Sequence, residues 1–184
     1  CRQEGALPAD GCFVSQTSGV TYQLADYDAD NVLRLGQKGA SGTLQLETPT
    51  QMSNLYVVAM AGNGSGTYTL TVNYADDTTA MQHMSVSDWG EGGGVLSMYR
   101  MLSTDGSVSP YFQWSLYEDS VAVDSSKPVA SLTFTSTSSL TWDGWQPVVS
   151  IFALSAQTEQ LTSVIQHPAS VTRHLSPVDR KSVV

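Results

Sequence analysis

The chain has 184 residues, 41% of them apolar and 14% charged, with eight Lys and Arg against seventeen Asp and Glu for a net charge of −9. That is too apolar for a disordered chain and too scattered for a transmembrane span, and the length suits one domain with a tail. The acidic balance argues against nucleic acid as a partner, since that affinity rests on Lys and Arg, and membrane insertion is not expected.

Residues 1–18 contain Gly5, Pro8 and Gly11 and read as irregular chain with one short strand near Phe13 and Val14. Strands are then expected at 19–24, 31–36, 42–47, 54–60 and 66–74. In the last of these, Tyr68, Leu70, Val72 and Tyr74 share one face, while Thr67, Thr69, Thr71 and Asn73 share the other. A period of two means one buried face and one wet face. Ala75-Asp76-Asp77 turns the chain into a strand at 78–86, and the Gly-rich run 90–94 is a loop. Further strands are expected at 95–103, 110–118, 129–136 and 147–156. Nine or ten short strands without a capped helix predict an all-β fold, a two-sheet antiparallel β-sandwich of jelly-roll type. Its expected core is Leu33, Leu35, Leu44, Leu46, Val57, Leu70, Val72, Leu132, Phe134 and Phe152.

The sandwich domain is placed at 1–156 and a linker or extended tail at 157–184. The tail carries Pro168, Pro177, His167, His174 and three basic residues, and its alternation decays. It is expected to add little to the core. The chain opens at Cys1 without an apolar targeting segment and reads as a mature or cut fragment. Its two cysteines leave two readings. Either Cys1 and Cys12 bridge, as suits a secreted protein, or Cys12 is a buried thiol and Cys1 is free or paired elsewhere.

Asp26, Asp28 and Asp30 stand at alternate positions, as at the start of an EF-hand calcium loop. The match then fails, because Asn31 stands where Gly should turn and Gln37 where Glu should ligate. A turn between strands is the favoured reading, with structural calcium the weaker one and no other cofactor expected. Trp142 and Trp145, in the loop-like run TWDGWQP, form the preferred sugar platform, with Asp143 between them as a hydroxyl acceptor. A pyranose presents an apolar C–H face that packs on an aromatic ring. Trp89, ahead of the Gly-rich loop, is a further candidate, and Trp114, inside a strand, reads as core. No catalytic residue is assigned, for there is no G-x-S-x-G elbow, no HExxH and no Cys/His cluster.

The succession GVTYQLADYDADNVLRLG, SGTLQLETPTQMSNLYVVAMAGNGSGTYTLTVNYADDTT, SVSDW, KPVASLTFTSTSS and VVSIFALSA resembles a β-sandwich module of secreted, Bacteroidetes-type multidomain proteins, as does ALPADGCFV at its start. The likeness covers about residues 6–156. It implies a galactose-binding-like fold in an accessory domain, secreted or at the cell surface, beside a peptidase, glycoside hydrolase or adhesin-like neighbour. The module usually starts with strand sequence upstream of ALPADG, which this chain lacks. The expected function is non-catalytic carbohydrate binding, with a glycan or polysaccharide and neighbouring domains as partners. The alternative is a structural spacer or protein-interaction module that binds no small ligand.

Overall fold

In the computed structural model the described residues are 7–98, 101–102, 108–109, 113–158 and 176–177. In chain order the strands are β1 (Cys12–Val14), β2 (Thr21–Gln23), β3 (Leu33–Leu35), β4 (Ser41–Thr50), β5 (Asn54–Gly62), β6 (Gly66–Tyr74) and β7 (Thr79–Val86). There follow β8 (Leu96–Met98), β9 (Met101–Leu102), β10 (Val108–Ser109), β11 (Trp114–Ala122), β12 (Val129–Ser136), β13 (Val148–Gln157) and β14 (Ser176–Pro177). Two five-stranded sheets, β3-β13-β5-β11-β8 and β14-β4-β12-β6-β7, form the sandwich. Two small pairs, β1 with β2 and β9 with β10, complete the set, and every strand pairing is antiparallel. The described residues contain no helix and hence none long and apolar enough to cross a membrane.

The alternation of 66–74 is observed as such, with Tyr68, Leu70, Val72 and Tyr74 buried between the sheets. They meet Leu55, Val57, Ala59 and Ala61 of β5, Leu132 and Phe134 of β12, and Val149 and Ile151 of β13. Strand β5 is buried on both faces. Val58 points the other way, into a second cluster with Phe13, Tyr22, Leu24, Leu96 and Leu116. That two-sided burial is why NLYVVAMAG lacks alternation. The β1–β2 hairpin covers this outer cluster, stacking Phe13 on Tyr22 with ring centroids 5.1 Å apart. It is tied down by Glu118, whose carboxylate accepts the Tyr22 hydroxyl and, at 2.9 Å, the Ser18 hydroxyl.

Six of the ten expected core residues are buried: Leu35, Val57, Leu70, Val72, Leu132 and Phe134. Leu33, Leu44 and Leu46 are half-buried against the main cluster, on strands near the sheet edges, and Phe152 is half-buried at a bulge between Ile151 and Ala153. Two strand expectations are corrected. Within the strand expected at 95–103, Leu96–Met98 form β8 and Met101–Leu102 form β9, which lie in different sheets, with 99, 100 and 103 outside the described residues; the strand expected to end at 118 runs on to Ala122 as β11, with 110–112 outside the described residues. The polar residues Glu118, Asp119 and Ser120 stay extended because they pair with Val58, Val57 and Tyr56 of β5. Tertiary pairing there overrides composition. Of the tail, Ser176 and Pro177 pair with Gln45 and Leu44 at the edge of β4, and 159–175 and 178–184 lie outside the described residues. Cys12 is disulfide-bonded, which corrects its reading as a buried thiol, and Cys1, its partner in the other reading, lies outside the described residues.

Candidate functional site

Three connections gather at one end of the sandwich: the β5–β6 turn, the segment 87–95 after β7, and the loop 137–147 between β12 and β13. The β5–β6 turn is the hub. Asn63 and Gly64 both take positive φ, 63° and 100°, so the chain reverses tightly there. From that turn the Gly64 N–H donates to Asp88 Oδ2 at 2.7 Å, and the Ser65 hydroxyl donates to Glu91 Oε1 at 3.0 Å. On the other side the Asn63 amide donates to the Gln146 carbonyl at 3.3 Å. The sequence-distant residues 88–91 and 146 are therefore held by one turn.

The loop 140–145 is built on Thr141. Its hydroxyl accepts the Trp145 N–H at 2.9 Å and donates to the Asp143 carboxylate. The Thr141 N–H reaches the Trp145 carbonyl at 2.8 Å, and Gly144, at φ +85°, closes the turn by donating to the Thr141 carbonyl at 2.9 Å. With the backbone satisfied internally, the side chains turn outward. Trp142 is 99% exposed and Trp145 61% exposed, with Leu140 beside them at 64%. Asp143 is exposed in the same turn.

Trp89 is not part of that turn. It stacks on Trp114 with centroids 3.6 Å apart and planes 15° apart, so one of its faces is covered. Trp114, expected in the core, is half-buried as its partner, and the Trp114 indole N–H is buried without a hydrogen bond. Three acids sit among these loops, Asp88, Glu91 and Asp143, and the segments 61–66, 87–95 and 137–147 contain no Lys or Arg. Asp88 and Glu91 are committed to backbone and Ser65 hydrogen bonds.

The run Asp26, Asp28, Asp30 is an exposed turn in which Asp26 accepts the Asp28 N–H at 3.0 Å. Among the described residues no three His, Cys, Asp or Glu side chains converge as a metal site. His83 is exposed on β7, and His167 and His174 lie outside the described residues. Sequence reasoning missed Leu140, whose exposure nothing local announces, and Thr141, whose T-x-D spacing marks a side-chain-capped turn.

No protein-family model matches the chain, and no curated protein matches it. Among solved structures it is similar to an arginine-to-alanine mutant of a family 29 carbohydrate-binding module, CBM29-2. The identity is 14%, the match covers 85% of this chain and 88% of that one, and the TM-score is 0.40.

Proposed function

We propose that the protein is a non-catalytic carbohydrate-binding module whose platform is the 140–145 turn. One observation carries the reading: two indole rings, Trp142 and Trp145, are held in water by a turn that the Thr141 hydroxyl and Gly144 pin in place. Apolar rings of this size normally go inside, where each removes a large area from water. Kept outside on a fixed backbone, they suit stacking against the C–H face of a sugar, with the free oxygen of Asp143 accepting a ring hydroxyl. The absence of Lys and Arg from the surrounding segments favours a neutral glycan over a uronic or sulfated one. A shallow platform with few hydrogen bonds supports affinity in the roughly micromolar-to-millimolar range. The disulfide at Cys12 suits a secreted or surface-exposed accessory domain.

A glycan array followed by calorimetry tests this. Trp142→Ala and Trp145→Ala should each abolish measurable binding while leaving the melting temperature within about a degree, since exposed side chains add little to stability. Binding untouched by both changes would place the site elsewhere. Silence across neutral glycans would favour the second reading, a protein-interaction or spacer module, which the exposed Leu140 beside the two rings supports.

A further inference from the structure

The β5–β6 turn that gathers the loops at this end of the sandwich places Asn63 directly before Gly64. An asparagine side chain can be attacked at Cγ by the backbone nitrogen of the next residue, and a glycine there, having no Cβ, leaves that nitrogen open. The chain has three other asparagines, and each precedes a bulky residue: Asn31 before Val32, Asn54 before Leu55 and Asn73 before Tyr74. Asn54 and Asn73 are also fixed within β5 and β6, where their amides donate to Gln157 Oε1 and to Ser131 Oγ, both at 3.0 Å. Asn63 is exposed, so water and hydroxide reach it. In the reaction the Gly64 nitrogen gives its proton to hydroxide and bonds to Asn63 Cγ. The bond from Cγ to the side-chain nitrogen breaks, and ammonia leaves with a proton from water. Water then opens the resulting five-membered imide at either carbonyl, which gives aspartate or, with the main chain rerouted through the side chain, isoaspartate. One water is consumed and one ammonia released, with no other reactant.

Two hydrogen bonds restrain the reacting groups. The Gly64 N–H donates to Asp88 Oδ2 at 2.7 Å, and that carboxylate opposes loss of the proton. The Asn63 amide donates to the Gln146 carbonyl at 3.3 Å, beyond the usual range and so the weaker restraint. This second bond also ties the turn to the tryptophan loop. Either product replaces the donating amide with a carboxylate, which offers the Gln146 carbonyl nothing and adds a negative charge beside Asp88. The segments 61–66, 87–95 and 137–147 hold no Lys or Arg to neutralise it. Isoaspartate further lengthens the main chain by one atom where Asn63 and Gly64 reverse it at φ 63° and 100°. We propose that Asn63 is a site of spontaneous deamidation, guarded by Asp88, and that its conversion unlatches the loop that carries Trp142 and Trp145. The effect on sugar binding rests on the reading of 140–145 as the platform, whereas the modification does not.

The test incubates the folded chain at neutral and at mildly alkaline pH and follows each asparagine by peptic digestion and mass spectrometry, with isoaspartyl methyl transfer as a second readout. Asn63 should convert severalfold faster than Asn31, Asn54 and Asn73, faster at the higher pH, and more slowly than in the same chain unfolded in urea. Asp88→Ala, which releases the Gly64 N–H, should quicken the conversion, and if that variant folds poorly the comparison with urea decides whether the turn is guarded. Asn63→Asp stands in for one product. In it the amides of Thr141, Gly144 and Trp145, hydrogen-bonded inside the loop, should exchange roughly fivefold faster, as loss of one hydrogen bond would give. No conversion at Asn63, an equal rate at another asparagine, the same rate folded and in urea, a folded Asp88→Ala that reacts no faster, or unchanged exchange in Asn63→Asp overturns the proposal. Sugar binding absent from the unmodified chain would sink the platform reading and leave the modification supported by its mass and exchange data.

Discussion

A methyl group added at Gly94 would stand 2.2 Å from the Leu116 carbonyl oxygen and 2.8 Å from Ser115 Cβ, so the backbone of β11 itself blocks it. The same loop closes there, through the Val95 N–H to the Leu116 carbonyl at 2.8 Å. At Gly42 the clash is as close, 2.4 Å, but the atom met is a terminal methyl of Leu33, which can rotate away. Gly94→Ala should therefore cost about 1–3 kcal/mol, as overpacking against fixed atoms does, and Gly42→Ala less than about 1 kcal/mol. Urea denaturation of the two variants checks the order, and a Gly42 variant as unstable as the Gly94 one would contradict it. The exposure of Trp142 and Trp145 was legible at this scale, because TWDGWQP combines turn residues with two rings that no alternation carries inward. The fate of Trp89 was not, since the ring that covers it, Trp114, comes 25 residues later and its approach depends on the sheet.

Among the elements, the β1–β2 hairpin is the one whose attachment rests on few groups. It is fastened by the Phe13–Tyr22 stack and by Glu118, which accepts from both Tyr22 and Ser18. Removing either partner of the Tyr22–Glu118 bond should cost unequally. Tyr22→Phe loses one hydrogen bond to a charged group, about 1.5–3 kcal/mol, and leaves Glu118 the Ser18 hydroxyl. Glu118→Ala strands the Tyr22 hydroxyl in a buried site and exposes residues 12–23 to faster amide exchange. Hydrogen exchange that stays unchanged in the hairpin of Glu118→Ala would show that the stacking alone holds it. The hairpin also marks where sequence reading stopped. The clean period of two in β6 identified its buried face residue by residue, because water lies on its other side. In β5 every other residue faces a different apolar cluster, so the run betrayed burial without direction, and nothing local said that Phe13 and Tyr22 supply the outer cover. In β11 the expected strand stopped at Glu118, because what keeps Asp119 and Ser120 extended is their pairing with Val57 and Tyr56 of the distant β5.

For the molecule as a whole, alkaline pH is the informative stress. Tyr22, in the outer cluster, and Tyr68, between the sheets, both have phenols raised well above their ordinary value, chiefly by burial and then by Glu118 and Asp119 respectively. In the unfolded chain each loses its proton near pH 10, whereas in the folded chain each keeps it. The folded state then binds more protons than the unfolded one, so stability is intact below about pH 10 and falls as the pH rises beyond it. Phenolate absorbance from Tyr22 and Tyr68 should appear only together with loss of β-sheet circular dichroism, so that Tyr22→Phe and Tyr68→Phe each lower the absorbance gained at that step. Ionisation of all eight tyrosines before any loss of structure would refute this account.

The position of β13 in its sheet bears on how the chain reaches this state. It lies between β3 and β5, pairing Val149 with Leu35 on one side and with Ala61 on the other. Strands β3 and β5, complete by Gly62, thus wait for one that starts only at Val148. Until about residue 157 has left the ribosome, β3 has no neighbour and β5 keeps an open edge with an apolar face. Closure over such sequence distances is slow, in the milliseconds-to-seconds regime, because the entropy of the loop is lost before any contact repays it. The nascent chain therefore spends its most vulnerable interval with an unpaired strand edge, the state in which sheets join the wrong partner.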